Sequence, residues 1–344
     1  MPLRWKRQTS FPPSSETQLL TCSHVMSKSA ALRSIIDSRR KPMREQAALL
    51  LVIAIPFAAV VLAVPLTWGW GISWTVVMLS IFWYSITMLG ITVGFHRLIT
   101  HRSFRVSRPL RVILAIAGSM AIQGPVIRWA ADHRRHHAYA DKDGDPHSPW
   151  RFGTGYWQLI KGMLFAHLGW LFDFEETNPR LFTPDLLADR DMRIVSRLFG
   201  LFVVLSLVLP PAMQAAVHPS VRLVIQAFVW ASLVRIFMVH HVTWAVNSIC
   251  HVVGSRPFRT RDRSTNFWPL AILSMGEAWH NGHHAAPSCA RHGVRRGEID
   301  ISARLIYLLE RTGWATSVKW PRRQPAAEPL IAAGRIQEDS RASR

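Results

Sequence analysis

Charge is missing from long parts of this 344-residue chain. Residues 46–95 contain no Asp, Glu, Lys or Arg, and between Leu198 and Val234 the only formal charge is Arg222. Soluble helices do not need such runs, but a bilayer does, because about 20 apolar residues cross its hydrocarbon core. Each stretch is long enough for two crossings, with "TWGWG" at 67–71 and "HPS" at 218–220 as the turns. The expected fold is all-α, with four transmembrane helices in two hairpins at about 49–67, 72–94, 198–217 and 221–242.

Cysteine is scarce as well. Cys22, Cys250 and Cys289 are scattered, which excludes a disulfide framework and a cysteine-rich zinc site and suits a reducing cytosol. The first 45 residues lack the apolar core of a signal peptide. Residues 1–45 are expected to be a basic disordered extension, 46–321 the membrane domain and 322–344 a disordered tail, with Met26 an alternative start. Acidic residues number 21 against 41 basic ones, a formal charge of +20. No base-reading motif accompanies that charge, so no nucleic-acid partner is expected, and the surplus fits an anionic membrane face. Nine of the basic residues precede residue 46, and the 96–197 loop and the C-terminal third are rich in Arg. The positive-inside rule then places both termini and the large loop in the cytosol. Arginine's excess over lysine points to GC-rich coding and a bacterial inner membrane.

What the chain has in abundance is grouped histidine. "HRLITH" (96–101), "DHRRHH" (132–137) and "HNGHH" (280–284) flank the apolar stretches. Spacing of i, i+3 and i+4 puts side chains on one face of a helix. Asn247 and His251 lie one helical turn apart at the end of the fourth span, so all the clusters can meet just under the membrane. One metal takes about four to six ligands, so nine imidazoles suit two metals, and ligand type alone leaves Zn, Cu, Fe and Ni open. His24, His218 and His292 stand alone and read as ordinary surface or core histidines. The apolar segment 108–129 reads as a half-buried interfacial helix.

The wording around these histidines resembles the integral-membrane fatty-acid desaturases. It is most similar to the stearoyl-CoA (Δ9) branch, in "GITVGFHRLITHRSF", "WAADHRRHHAYADKDGDPHSPW", "HLGW", "TWAVNSICH" and "GEAWHNGHHAAP". The resemblance covers about residues 48–320. It implies two irons held by His96, His101, His133, His136, His137, His251, His280, His283 and His284, with Asn247 holding a water. It implies O2 as co-substrate and removal of one hydrogen from each of two neighbouring carbons, a reaction beyond any protein acid, base or nucleophile. His147 belongs to the family wording but not to its ligands and is expected to be structural, while Asp132, Asp145 and Glu277 are expected to orient ligand rings.

The family's bent acyl tunnel maps onto Gln123, Trp129 and Thr243, with Trp244 adjacent, and its far end onto Tyr84. Met88 stands where longer-chain members keep alanine, which implies a preference for palmitoyl over stearoyl chains. The branch implies an acyl-CoA substrate, but two positions depart from it. Ala131 replaces an arginine, and "LFDFEE" (171–176) replaces a basic pair, so another carrier or a lipid-bound acyl group stays open. No H-P-G-G haem-binding motif occurs, so electrons are expected from a separate ferredoxin, cytochrome b5 or reductase. Rival readings are a di-iron hydroxylase or alkane monooxygenase and, remotely, a metal-handling transporter. The transporter would need polar groups near the bilayer midplane, which these spans largely lack.

Overall fold

The computed structural model describes residues 34–68 and 71–321, so His24, Met26 and the 322–344 tail lie outside it. Strand β1 (Ile36–Arg40) leads into α1 (Met43–Trp68), and α2 (Trp74–Thr100) follows it. Strand β2 (Arg105–Val106) precedes α3 (Arg108–Ser119) and α4 (Val126–Tyr139). Next come α5 (Tyr156–His167), β3 (Glu175–Thr177) and α6 (Arg190–Arg197). The second hairpin is α7 (Phe199–Val217) and α8 (Val221–His251). After a long loop, α9 (His280–Ala285), α10 (Ile301–Arg311) and β4 (Ala315–Thr316) follow.

The chain is all-α in character, and α1, α2, α7 and α8 are each long and apolar enough to cross a membrane. Helix is the only open-chain solution there, since hydrocarbon offers no partner for a free backbone group. The spans end later than uncharged length suggests. α2 runs to Thr100 rather than 94, and α8 to His251 rather than 242. Arg97 and Arg235 do not stop these helices, because each is buried inside protein, at 0% and 2% exposure.

Two other expectations change. Residues 34–45 are not a disordered extension: Ile35 is buried, and β1 pairs antiparallel with β3, Ile36 opposite Thr177 and Arg40 opposite Glu175. The segment 108–129 is not one helix. α3 and α4 are separated by a loop in which Ile122 has φ +59° and Gly124 φ +101°. Such a φ is natural for glycine and rare for a β-branched residue. α3 lies tight against α2, where a Cβ on Gly90 would come 2.3 Å from the Gly118 nitrogen. The histidine-bearing α4 and α9 meet the ends of α2 and α8 at one end of the bundle.

Candidate metal centre

α2 changes its winding at Gly90 and continues as a π-helix through Thr100. In an α-helix, at about 100° per residue, His96 and His101 would point about 140° apart. The wider turn closes i to i+5, as the bond from His101 N–H to the His96 carbonyl at 3.0 Å records. Their ring centroids are then 4.8 Å apart.

The nine histidines form two adjacent groups. His96, His101, His133, His137 and His283 make one, and His136, His251, His280 and His284 the other, with ligand atoms within 4.8 Å of one another in each. Neighbours in sequence part company here. His136 and His284 go to the four-membered group, and His137 and His283 to the five-membered one. The two sets touch where His137 stacks on His284 at 4.5 Å.

All the close approaches are between Nε2 atoms. In the larger group His283 lies 3.1 Å from His96 and 2.8 Å from His137, while His133 lies 2.9 Å from His101 and 3.0 Å from His137. In the smaller one His284 lies 3.0 Å from His280 and 3.3 Å from His136, and His280 lies 3.1 Å from His251. Carboxylates stand behind several rings. Asp145 meets His136 Nδ1 at 3.0 Å, Asp141 meets His251 Nδ1 at 2.9 Å, and Asp262 meets His284 Nδ1 at 2.8 Å. Glu277 lies 2.7 Å from His96 Nδ1. A carboxylate fixes the ring proton on Nδ1 and leaves a lone pair on Nε2. Converging lone pairs repel, and a cation between them removes that cost. The donor set therefore fits a metal ion in each group.

Protonation is also opposed. Burial first, then neighbouring histidines, holds His101, His133, His137, His280, His283 and His284 well below 6.5, as neutral ligands must be. For His136 burial lowers the pKa but Asp145 outweighs it, so the net shift is upward. Burial alone would raise Glu277, yet His96, His292 and Arg97 bring it well below its usual range.

Residues 72–298 match the family model "Fatty acid desaturase". That is well over half of the chain. The chain belongs to the fatty acid desaturase family. It is 38% identical over 254 residues to an sn-1 stearoyl-lipid 9-desaturase of Anabaena variabilis, covering 72% of this chain and 85% of that one. It is 38% identical over 253 residues to Delta-9 acyl-lipid desaturase 1 of Arabidopsis thaliana, covering 72% and 77%. A hex-5-enoyl-[acyl-carrier protein] acetylenase of Moorena producens (strain JHB) is 37% identical over 274 residues, covering 79% and 85%.

Beside the histidines this desaturase has an apolar cavity of about 360 Å³. Gln123, Trp129, Thr243, Trp244 and Asn247 all line it, together with His133. Gln123 donates to Thr243 Oγ1 at 2.9 Å and accepts from Trp129 Nε1 at 3.3 Å. Asn247 thus lies on the cavity wall, one turn from His251. Tyr84 and Met88 are not among the lining residues. The Tyr84 hydroxyl donates to the Leu273 carbonyl at 2.6 Å, and Met88 is buried in the bundle core. The cavity loop is held from behind. Arg235 donates to the Met120 and Ser206 carbonyls, Ser206 Oγ donates to Met120, and His240 Nε2 donates to the Ala121 carbonyl at 2.9 Å.

Several sequence assignments need correction. Among the described residues Asp132 has no histidine as a hydrogen-bond or ion-pair partner, and it lines the cavity's charged end with Lys41 and Arg128. Its place is taken by Asp141 and Asp262, which carry no spacing signal toward the rings they meet. His292 is buried but not ordinary, since its ring lies 4.4 Å from His283 and its Nδ1 3.2 Å from Glu277. Arg97 was missed too. It binds Glu277 at 3.1 Å and Asp300 at 2.9 Å, joining the histidine groups to α10. His147 stacks on His136 at 4.3 Å; it belongs to neither the five-histidine nor the four-histidine group, but its ligand atoms cluster with those of His136 and Asp145.

Proposed function

We propose that the chain inserts a cis double bond at C9–C10 of a saturated acyl chain, using O2 and two irons. The observation that carries this reading is the cavity: its lining is mostly apolar, and His133 is part of it. An extended methylene chain can lie there without losing hydration to any polar partner. The nine histidines are the proposed iron ligands, the five-histidine group for one iron and the four-histidine group for the other. Bound iron would supply the activation of O2 that protein side chains lack.

The chain's own residues do the rest. The Trp129–Gln123–Thr243 hydrogen-bond chain fixes the shape of the wall beside His133 and so selects which carbons stop there. Burial of the centre keeps water from competing for it. Asp141, Asp145, Asp262 and Glu277 hold the ligand rings in one tautomer and orientation. The C9 position draws support from the two relatives whose names carry it. With the histidine groups and Arg-rich loops in the cytosol, as the basic residues argue, a separate electron donor would dock on that face.

The test is gas chromatography with mass spectrometry of fatty acids from cells expressing the wild type or His284→Ala. Monounsaturated chains with the double bond at C9 are expected only from the wild type. Hydroxylated chains in their place would sink the desaturase reading.

A further inference from the structure

The cavity lining has two parts of different character. At the charged end lie Lys41, Arg128, Arg135 and Arg151, facing five carboxylates that include Glu45 and Glu176. Arg128 is bound by both Glu45 and Glu176, the latter at 2.8 Å, and Arg151 meets Asp173 at 3.6 Å. Lys41 donates to the Leu171 carbonyl at 3.0 Å, and Arg135 to the Gly144 carbonyl at 2.7 Å. The cations are already spent on internal partners. A polyanionic carrier such as CoA would have to break those pairs, or meet the carboxylates beside them.

The other part is apolar. α1 contributes Ala48, Leu49 and Val52 to the cavity, and α7 contributes Phe199, Gly200 and Val203. Among the described residues these helices share no extensive packing; each packs on α8 instead. Gly200 is exposed, and a Cβ added to it meets no atom within 4 Å. The slot lies in the first few turns of both spans, about 0–15 Å below their starts at 1.5 Å per residue. That is the half of the span where a lipid's acyl chain lies beneath its headgroup, in a hydrocarbon core about 30 Å thick.

We propose that the substrate is an acyl chain still esterified to a membrane glycerolipid with an uncharged or zwitterionic headgroup, and that it enters sideways between α1 and α7. This rests on the desaturase reading above. A lipid chain entering there never leaves an apolar medium, so it needs no cationic grip. Its headgroup sits beside a mouth whose charges are internally matched.

The test uses full-length, iron-loaded protein in lipid nanodiscs. A glycerolipid carrying a photoactivatable stearoyl chain should label residues 48–53 and 199–203, and a molar excess of stearoyl-CoA should not displace it. Gly200→Trp puts a bulky ring where a Cβ meets open space, and should lose the label while its iron content stays unchanged. With a reductase and ferredoxin supplied, new double bonds should appear in lipid-bound stearoyl chains and be lost in Gly200→Trp. Desaturation of stearoyl-CoA or stearoyl-carrier protein with the lipid left saturated would overturn the lipid substrate and keep the desaturase. Displacement of the label by stearoyl-CoA, or Gly200→Trp retaining both label and turnover, would also overturn it. No double bond on any of the three carriers would overturn the desaturase reading and this inference together.

Discussion

The two histidine groups differ in what stands behind their rings. Three of the four members of the smaller group lean on a carboxylate through Nδ1: His136, His251 and His284. In the larger group, among the described residues, only His96 does so, and its partner Glu277 is shared with Arg97 and His292. His283 Nδ1 is buried with no hydrogen-bond partner. A carboxylate behind an imidazole raises its strength as a donor. The smaller group thus offers fewer and stronger donors, the larger more and weaker ones. The comparison teaches that a missing ligand can be offset from outside the ligand set, and that the two sites should fail differently.

Deleting a ligand tests this most severely. His284→Ala leaves three donors in the smaller group, and His283→Ala leaves four in the larger. Both should cut desaturation at least about 100-fold, the upper range for merely supporting residues. Metal analysis should separate them, with His284→Ala near one iron per chain and His283→Ala retaining more. Equal iron loss would erase the distinction between the groups.

The carboxylates come next. Asp262→Asn and Asp141→Asn should weaken iron binding by about 10–100-fold, in the smaller group only. Glu277→Gln should have the smaller effect on iron affinity, because four of the five rings in the larger group do not touch it. Chelator competition on the purified variants would measure the order. Glu277→Gln as the most damaging of the three would reverse the argument.

Acid should expose the same asymmetry in metal-free protein. Ligand histidines held well below 6.5 stay neutral when folded but gain protons on unfolding. Stability therefore falls as pH drops through the unfolded value of 6.5. His136, shifted upward by Asp145 against the effect of burial, opposes that fall from within the smaller group. The melting temperature of apo protein should drop between pH 7.5 and 5.5. A flat profile without metal would contradict it.

The smallest functional effect is expected far from both groups. Met88→Ala removes a buried side chain that does not line the cavity. It should cost stability, about 2–5 kcal/mol for such a truncation, and leave the ratio of palmitoyl to stearoyl products unchanged. A shift toward stearoyl would mean that an occupied cavity extends to α2, as the family's tunnel implies.

Much of this centre was legible because metal ligation demands particular side chains. Histidines at 96, 101, 133, 136, 137, 280, 283 and 284 stood out by type and spacing, His251 by its place at the end of the fourth span and by the resemblance, and the four apolar spans by their length. Asp141, Asp262 and Arg97 did not, since aspartate and arginine are common and their partners lie far away in sequence. His292 was passed over for the same reason: alone in the sequence, it has neighbours only after folding. The helical reading of 108–129 failed at Ile122 and Gly124, where tertiary contacts from Arg235, Ser206 and His240 hold a loop open.

The sequence by itself determined the elements and the chemistry available to them, because local apolar length and side-chain type act over a few residues at a time. It could not divide the histidines. A helix at about 100° per residue separates neighbours such as His136 and His137, but which partner each one meets depends on where α9 lands against α4. The π-winding that turns His96 and His101 together, the carboxylates behind the rings and the slot between α1 and α7 are likewise decided by packing across the chain. Only the tertiary structure sets those distances, since each joins residues that no local rule connects.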